Sequence, residues 1–82
     1  MKSVRIHLNG STENVKAFVN KMLGYNFDID LVSNRYVIDA KSLMGIFSLD
    51  LSKAIEMQIH SDDPKADELL EAINEFVIPE AE

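Results

Sequence analysis

Eighty-two residues make one domain around one core, burying roughly 60 to 65% of the unfolded surface, so function is expected on the outside. Hydrophobic residues are 46% and charged residues 27%, proportions of a folded soluble domain that argue against disorder or a membrane span. Fourteen acids against eight bases, a formal charge of -6, disfavour a nucleic-acid partner, and the absence of cysteine excludes disulfides and thiolate metal sites.

A domain this small that manages without disulfide staples suits a reducing compartment. The N-terminus MKSVRIHL holds no apolar stretch of signal-peptide length, and no run approaches the ~20 apolar residues of a membrane span. The expected location is the cytoplasm, with no membrane partner.

Val4, Ile6 and Leu8 alternate with Arg5 and His7, the period of a half-buried strand, and Asn9-Gly10 carries turn chemistry that ends it. Val15, Phe18, Val19, Met22 and Leu23 then fall at helical spacing, with Ser11 or Thr12 as N-cap and Gly24 as C-cap. Phe27, Ile29 and Leu31, then Tyr36, Ile38 and Ala40, alternate on either side of Ser33-Asn34 and predict a hairpin over 27–40.

The segment SLMGIFSL (42–49) is apolar on all sides and too short for a full helix, so one or two helical turns capped by Ser42 are expected. Ile55, Met57 and Ile59 form a fourth alternating strand. Asp63-Pro64 is a cap followed by proline at the first helical position. Asp67 and Glu68 favour that helix start, and Ala66, Leu69, Leu70, Ile73, Phe76 and Val77 make one apolar stripe after it. The order strand, helix, strand, strand, short helix, strand, helix predicts an α+β domain: a four-stranded antiparallel sheet covered on one face by three helices and wet on the other. No repeat or linker interrupts residues 1–82, and the acidic tail PEAE is expected to fray.

The stretch FDIDL…RYVIDAKSLMGIFSL…AIEMQIH is similar, residue class by residue class, to the second half of the phosphocarrier HPr and its regulatory paralogue Crh. Lys41-Ser42-Leu43-Met44-Gly45, followed by Ile46, Phe47, Ser48 and Leu49, carries the resemblance most specifically. The resemblance spans about residues 2 to 77, strongest from 27 to 60, and implies the HPr open-faced β-sandwich.

In that family a Gly-hydrophobic-His-Ala-Arg-Pro-Ala motif lies between the first strand and first helix, and its histidine receives phosphate from enzyme I. In ungapped register this chain has Asn9, Gly10, Ser11, Thr12, Glu13, Asn14 and Val15 there. Ser11 stands at the histidine and Glu13 at the arginine. A phosphoramidate on imidazole is labile and passes its phosphoryl group on; a serine ester is far less so. The Glu13 carboxylate repels an incoming phosphoryl dianion where the family supplies attraction. No catalytic residue is therefore expected, and residues 8–15 contain no histidine that a register slip could bring in.

The resemblance places Ser42 at the serine that HPr kinase/phosphorylase modifies. A phosphate there meets free backbone N–H groups and the adjacent Lys41, whereas the plainer expectation is a cap alone. Leu43, Met44 and Phe47 cannot all point inward while Ile46 and Leu49 do, which predicts an exposed apolar patch for a protein partner. In the family the equivalent patch docks enzyme I, the kinase and the transcription factor CcpA. The alternative is packing against a neighbouring loop or a second copy.

Asp50, Ser52 and Ala54 replace small or glycine residues of the family, suggesting a loop released from its task. His7 and His60 fall at polar strand positions on the open sheet face and are expected to be solvated bystanders, too few for a metal site. The acids at 62, 63, 67 and 68 read as helix-start bias. No phosphate loop, zinc spacing or nucleophile–base set is present, so neither enzyme activity nor a cofactor is expected. The expected function is a non-catalytic regulatory module of the phosphotransferase system, binding protein partners such as the kinase or other components of that system. An atypical phosphocarrier and an assembly-only domain that forms a homo-oligomer are the competing readings.

Overall fold

The computed structural model describes residues 1–78; the acidic tail at 79–82, expected to fray, lies outside the described residues. The elements are β1 (Lys2–Ile6), α1 (Thr12–Met22), β2 (Asp28–Ser33), β3 (Tyr36–Asp39), α2 (Leu43–Phe47), β4 (Ile55–His60) and α3 (Lys65–Ala72), followed by a 3-10 turn at Asn74–Phe76. The sheet order is β1-β4-β2-β3. β4 lies antiparallel to both β1 and β2, so those two run parallel, joined by α1 across one face with β4 slotted between them.

Alternation in the strands fixes which face is dry. Ile6, Leu8, Ile29, Leu31, Ile55, Met57 and Ile59 are buried beneath the helices, together with Phe18, Met22, Ile46, Leu69 and Ile73. Ser3, Arg5, Glu56, Gln58, His60, Asp28 and Asp30 take the opposite face. This is the two-layer α+β arrangement that the element order predicts, with three helices on one side.

Local signals hold at most helix starts. Ser11 is the N-cap of α1 in extended geometry, its Oγ accepting the Asn14 N–H at 3.2 Å. Asn9 and Gly10 both sit in the left-handed region, at φ 59° and 66°, so two consecutive residues reverse the chain between β1 and α1. At α3 the expected arrangement is shifted by one residue: the helix begins at Lys65 with Pro64 at the N-cap and no side-chain cap bond, while Asp63 Oδ1 accepts the Lys65 N–H at 2.9 Å from the turn before it.

Four further expectations are corrected. Leu23 is not on the core stripe: it is the C-cap of α1 and 60% exposed, because the helix ends before that position turns inward. Gly24 is not a left-handed cap; α1 closes by i→i+3 bonds from Gly24 and Tyr25 to Lys21 and Met22. The hairpin turns at Asn34-Arg35, one residue later than Ser33-Asn34, with positive φ at Asn34 and not at Arg35, the pattern of a type II′ turn.

The last helix does not carry its apolar stripe to Val77. It stops at Ala72, Ile73 leaves helical geometry (φ -111°, ψ 19°), and the chain tightens into the 3-10 turn. The cause is tertiary. Phe76 meets Phe18 edge-on with ring centroids 6.1 Å apart, and Val77 extends beside Ile6. There the His7 N–H donates to the Phe76 carbonyl (2.9 Å) and the Ile78 N–H to that of Arg5 (2.8 Å). A continued helix would forfeit those bonds and leave the β1 edge open.

Candidate functional site

The turn that leads into α1 is held from two sides. The Ser11 N–H donates to the Leu8 carbonyl at 3.2 Å, and Asn14 Nδ2 donates to the same oxygen at 3.1 Å. Ser11 Oγ is already engaged by the Asn14 N–H. Ser11 therefore acts here as a helix cap, and Glu13 occupies the first turn of α1 as its acidic residue.

His7 is the main surprise of this region. β1 ends at Ile6, so His7 lies past the strand, half-buried, and is not a solvated residue of the open face. Its Nδ1 accepts the Asn9 N–H at 3.2 Å, which leaves Nε2 to carry the proton that binds the Ser52 carbonyl at 3.1 Å. The Gly10 N–H donates to the Leu51 carbonyl at 3.1 Å. Together these bonds pin the loop 50–53 against the start of α1.

The loop is also braced internally. Asp50 Oδ1 accepts from both the Ser52 hydroxyl (2.6 Å) and the Ser52 N–H (3.1 Å), and these bonds, with Lys53 nearby, hold the Asp50 carboxyl below the usual aspartate value. The loss of flexibility expected at Asp50, Ser52 and Ala54 is matched by this bracing. His60, by contrast, does lie on the open face, as expected, but pairs across β4 and β2 with Asp30, Nε2 to Oδ2 at 3.0 Å.

On the α2 side, Ser42 is the N-cap, its Oγ accepting the Gly45 N–H at 3.1 Å. Gly45 is required by close approach: a Cβ there would stand 2.7 Å from Ile38 Cγ2 and 3.0 Å from Ser42 Oγ. Met44 is 80% and Phe47 39% exposed, as the crowded apolar segment predicts. Leu43 departs from that expectation; it packs against the core and leaves Met44 and Phe47 as the outward pair.

Lys41 also departs. Its ammonium donates to the Tyr25 carbonyl at 2.6 Å and the Phe27 carbonyl at 3.1 Å, so it clamps the α1–β2 connection instead of standing ready beside Ser42. Nothing in the spacing of residues near 41 signals a partner 14 to 16 positions away. Among the described residues no group of three or more His, Asp or Glu could hold a metal, and no helix is long and apolar enough to cross a membrane.

This arrangement of strands, helices and an α1 N-terminus beside a pinned loop has known counterparts. Residues 4–78 match the family described as PTS HPr component phosphorylation site. No curated protein matches. A solved structure of HPr-C-His from Thermoanaerobacter tengcongensis is 25% identical, covering 92% of this chain and 89% of that one, with a TM-score of 0.75. The phosphocarrier protein HPr from Bacillus anthracis str. Ames is 28% identical over 94% of each chain, with a TM-score of 0.72. With the match running through nearly every element from β1 to the segment after α3, the chain belongs to the HPr family of the phosphotransferase system.

Proposed function

We propose that this protein is a non-relaying HPr-family member, a regulatory protein–protein module that presents Met44 and Phe47 to a partner and is switched by phosphorylation of Ser42. The observation that carries the reading is the state of Ser11. Where the family's register puts the phosphoryl-accepting histidine, Ser11 Oγ is committed to capping α1, and Glu13 adds negative charge in the same turn. Stable helix capping and labile phosphoryl relay ask opposite things of that side chain.

Ser42 supports the switch. It is half-buried, at the start of α2, next to the exposed pair on the same short helix. A phosphate on its Oγ would displace the Gly45 N–H bond and add charge close to Asp39, whose Oδ1 already holds the Lys41 N–H. Because Lys41 is spent on Tyr25 and Phe27, the modified serine would be read by cations of a partner. HPr kinase/phosphorylase and other components of the phosphotransferase system are the partners that family membership suggests.

A second reading, an atypical phosphocarrier, has one observation in its favour: His7 lies against the loop that borders the α1 start. Both of its ring nitrogens are engaged, which favours the first reading. Two incubations separate them. With HPr kinase and ATP, intact mass is expected to rise by one phosphate in the wild type and not in Ser42→Ala; no gain, or an equal gain in the variant, overturns the switch. With labelled phosphoenolpyruvate and enzyme I no acid-labile label is expected, and label that disappears in His7→Ala would establish the carrier reading instead.

A further inference from the structure

The sheet order places β1 and β3 at the two edges, and they are treated differently. The second half of β1 is covered by residues 76–78 through the bonds to His7 and Arg5. No described segment covers β3. β3 carries no lysine, proline or bulge, and only its four-residue length and Asp39 guard it: Tyr36 is 61% and Val37 62% exposed, one on each face of the strand.

The phase of the β2–β3 ladder settles which backbone groups are unused. Ser33 and Tyr36 close a two-residue turn, and the Ala40 N–H donates to the Ile29 carbonyl at 2.9 Å, so Tyr36, Ile38 and Ala40 turn their backbone groups toward β2. Val37 and Asp39 therefore turn theirs outward. The Asp39 carbonyl accepts the Ser42 N–H. The Val37 N–H and C=O, the Asp39 N–H and the Arg35 C=O have no backbone partner among the described residues.

We propose that this edge pairs antiparallel with the same edge of a second copy, centred on Val37, joining two four-stranded sheets across a two-fold axis. That register satisfies every group left over. Val37 of each copy exchanges both bonds with Val37 of the other, and each Asp39 N–H donates to the other copy's Arg35 carbonyl. It also places Arg35 opposite Asp39 twice, and Arg35 has no ion-pair partner among the described residues. Tyr36 falls opposite Ile38 on the helix-covered face, and the two Val37 side chains meet on the open face. Both exposed apolar side chains are thereby covered, and the charges are self-complementary in this register alone: a one-residue slip would set Arg35 against Ile38. The inference stands independently of the regulatory reading.

The interface is one short strand, smaller than a standard stable interface, so association belongs at high protein concentration. Sedimentation equilibrium of the full chain up to about 1 mM is expected to show a monomer–dimer equilibrium. Val37→Pro removes an N–H that the fold itself does not use, and is expected to abolish the dimer with the thermal melt preserved. Arg35→Glu and Asp39→Lys are each expected to be monomeric alone. Mixed in equal amounts they are expected to dimerise, because the mixed pair restores an opposite charge at both positions. A wild-type chain that stays monomeric throughout, or a dimer indifferent to both Val37→Pro and Arg35→Glu, overturns the proposal. If Asp39→Lys fails to fold, having lost the bond to the Lys41 N–H, the other two variants decide.

Discussion

The Lys41 ammonium lies 2.6 Å from the Tyr25 carbonyl oxygen, a bond between the residue that precedes the α2 N-cap and the connection that leaves α1. A second bond to Phe27 makes the clamp two-pronged, and the Tyr25 and Phe27 rings beside it pack 5.6 Å apart. Charged donors to backbone carbonyls are among the stronger hydrogen bonds, and these are partly shielded from water. Lys41→Met keeps the aliphatic stem and loses both bonds. It is expected to cost about 1–2 kcal/mol in urea denaturation. A loss below about 0.3 kcal/mol would show that water replaces the ammonium without penalty.

Gly45 offers a sharper steric test. With Ile38 Cγ2 only 2.7 Å from the position of an added Cβ, Gly45→Ala must shift the Ile38 side chain, β3 or α2, although alanine is the better helix former. Overpacking is expected to win, destabilising by about 1–3 kcal/mol. Ile38→Leu removes the offending Cγ2 methyl, so in that background the same alanine should cost measurably less. Equal costs in the two backgrounds would mean that the contact with Ser42 Oγ, at 3.0 Å, is the real obstacle.

On the open face the Ser3 hydroxyl donates to Glu56 Oε2 at 2.7 Å and Gln58 Nε2 to the same oxygen at 3.1 Å, and these bonds hold the Glu56 carboxyl below the usual glutamate value. A folded value below the unfolded one stabilises the fold at pH above the ordinary glutamate range. That contribution fades as pH falls through the lowered folded value. Solvent makes it small, so the titration itself is the better readout. Carbon-detected NMR should show Glu56 titrating below an ordinary glutamate, and Ser3→Ala should move it back up.

The α1 start can be tested by restoring what the family places there. Ser11→His keeps the φ and ψ that an extended residue tolerates but removes the hydroxyl bound to Asn14; a loss of about 1 kcal/mol is expected from the missing cap. Labelled phosphoenolpyruvate with enzyme I should give weak acid-labile labelling of this variant. Adding Glu13→Arg should raise the rate roughly tenfold or more, because it replaces repulsion by attraction at the transferring group. Equal rates would clear Glu13 of any part in the loss of relay.

Much of this protein was legible locally because its signals act within a few residues. Alternation in 4–8, 27–40 and 55–59 sorts side chains to two faces, and Ser11 and Ser42 announce helix starts because a cap needs only the next turn. The segment 42–49 likewise could not hide all its apolar residues, whatever the rest of the chain did. What the pattern could not show was which of those residues would lose, and the core claimed Leu43 while leaving Met44 and Phe47 outside.

The remaining features depend on partners far away in the chain. Lys41 on Tyr25 and Phe27, His7 on Ser52, and Val77 beside Ile6 are contacts between segments that only the packed sheet brings together. The last of these overrode a helical stripe that was locally sound. It did so because two backbone bonds and a buried Phe76 outweigh a further turn of helix. The sequence by itself determined the order of elements, the Ser11 and Ser42 caps and the loss of the family's histidine, since each is written in neighbouring residues. Tertiary structure alone decided where Lys41 and His7 spend their hydrogen bonds and which sheet edge is left open, because both turn on which distant backbone groups remain unsatisfied once the layers close.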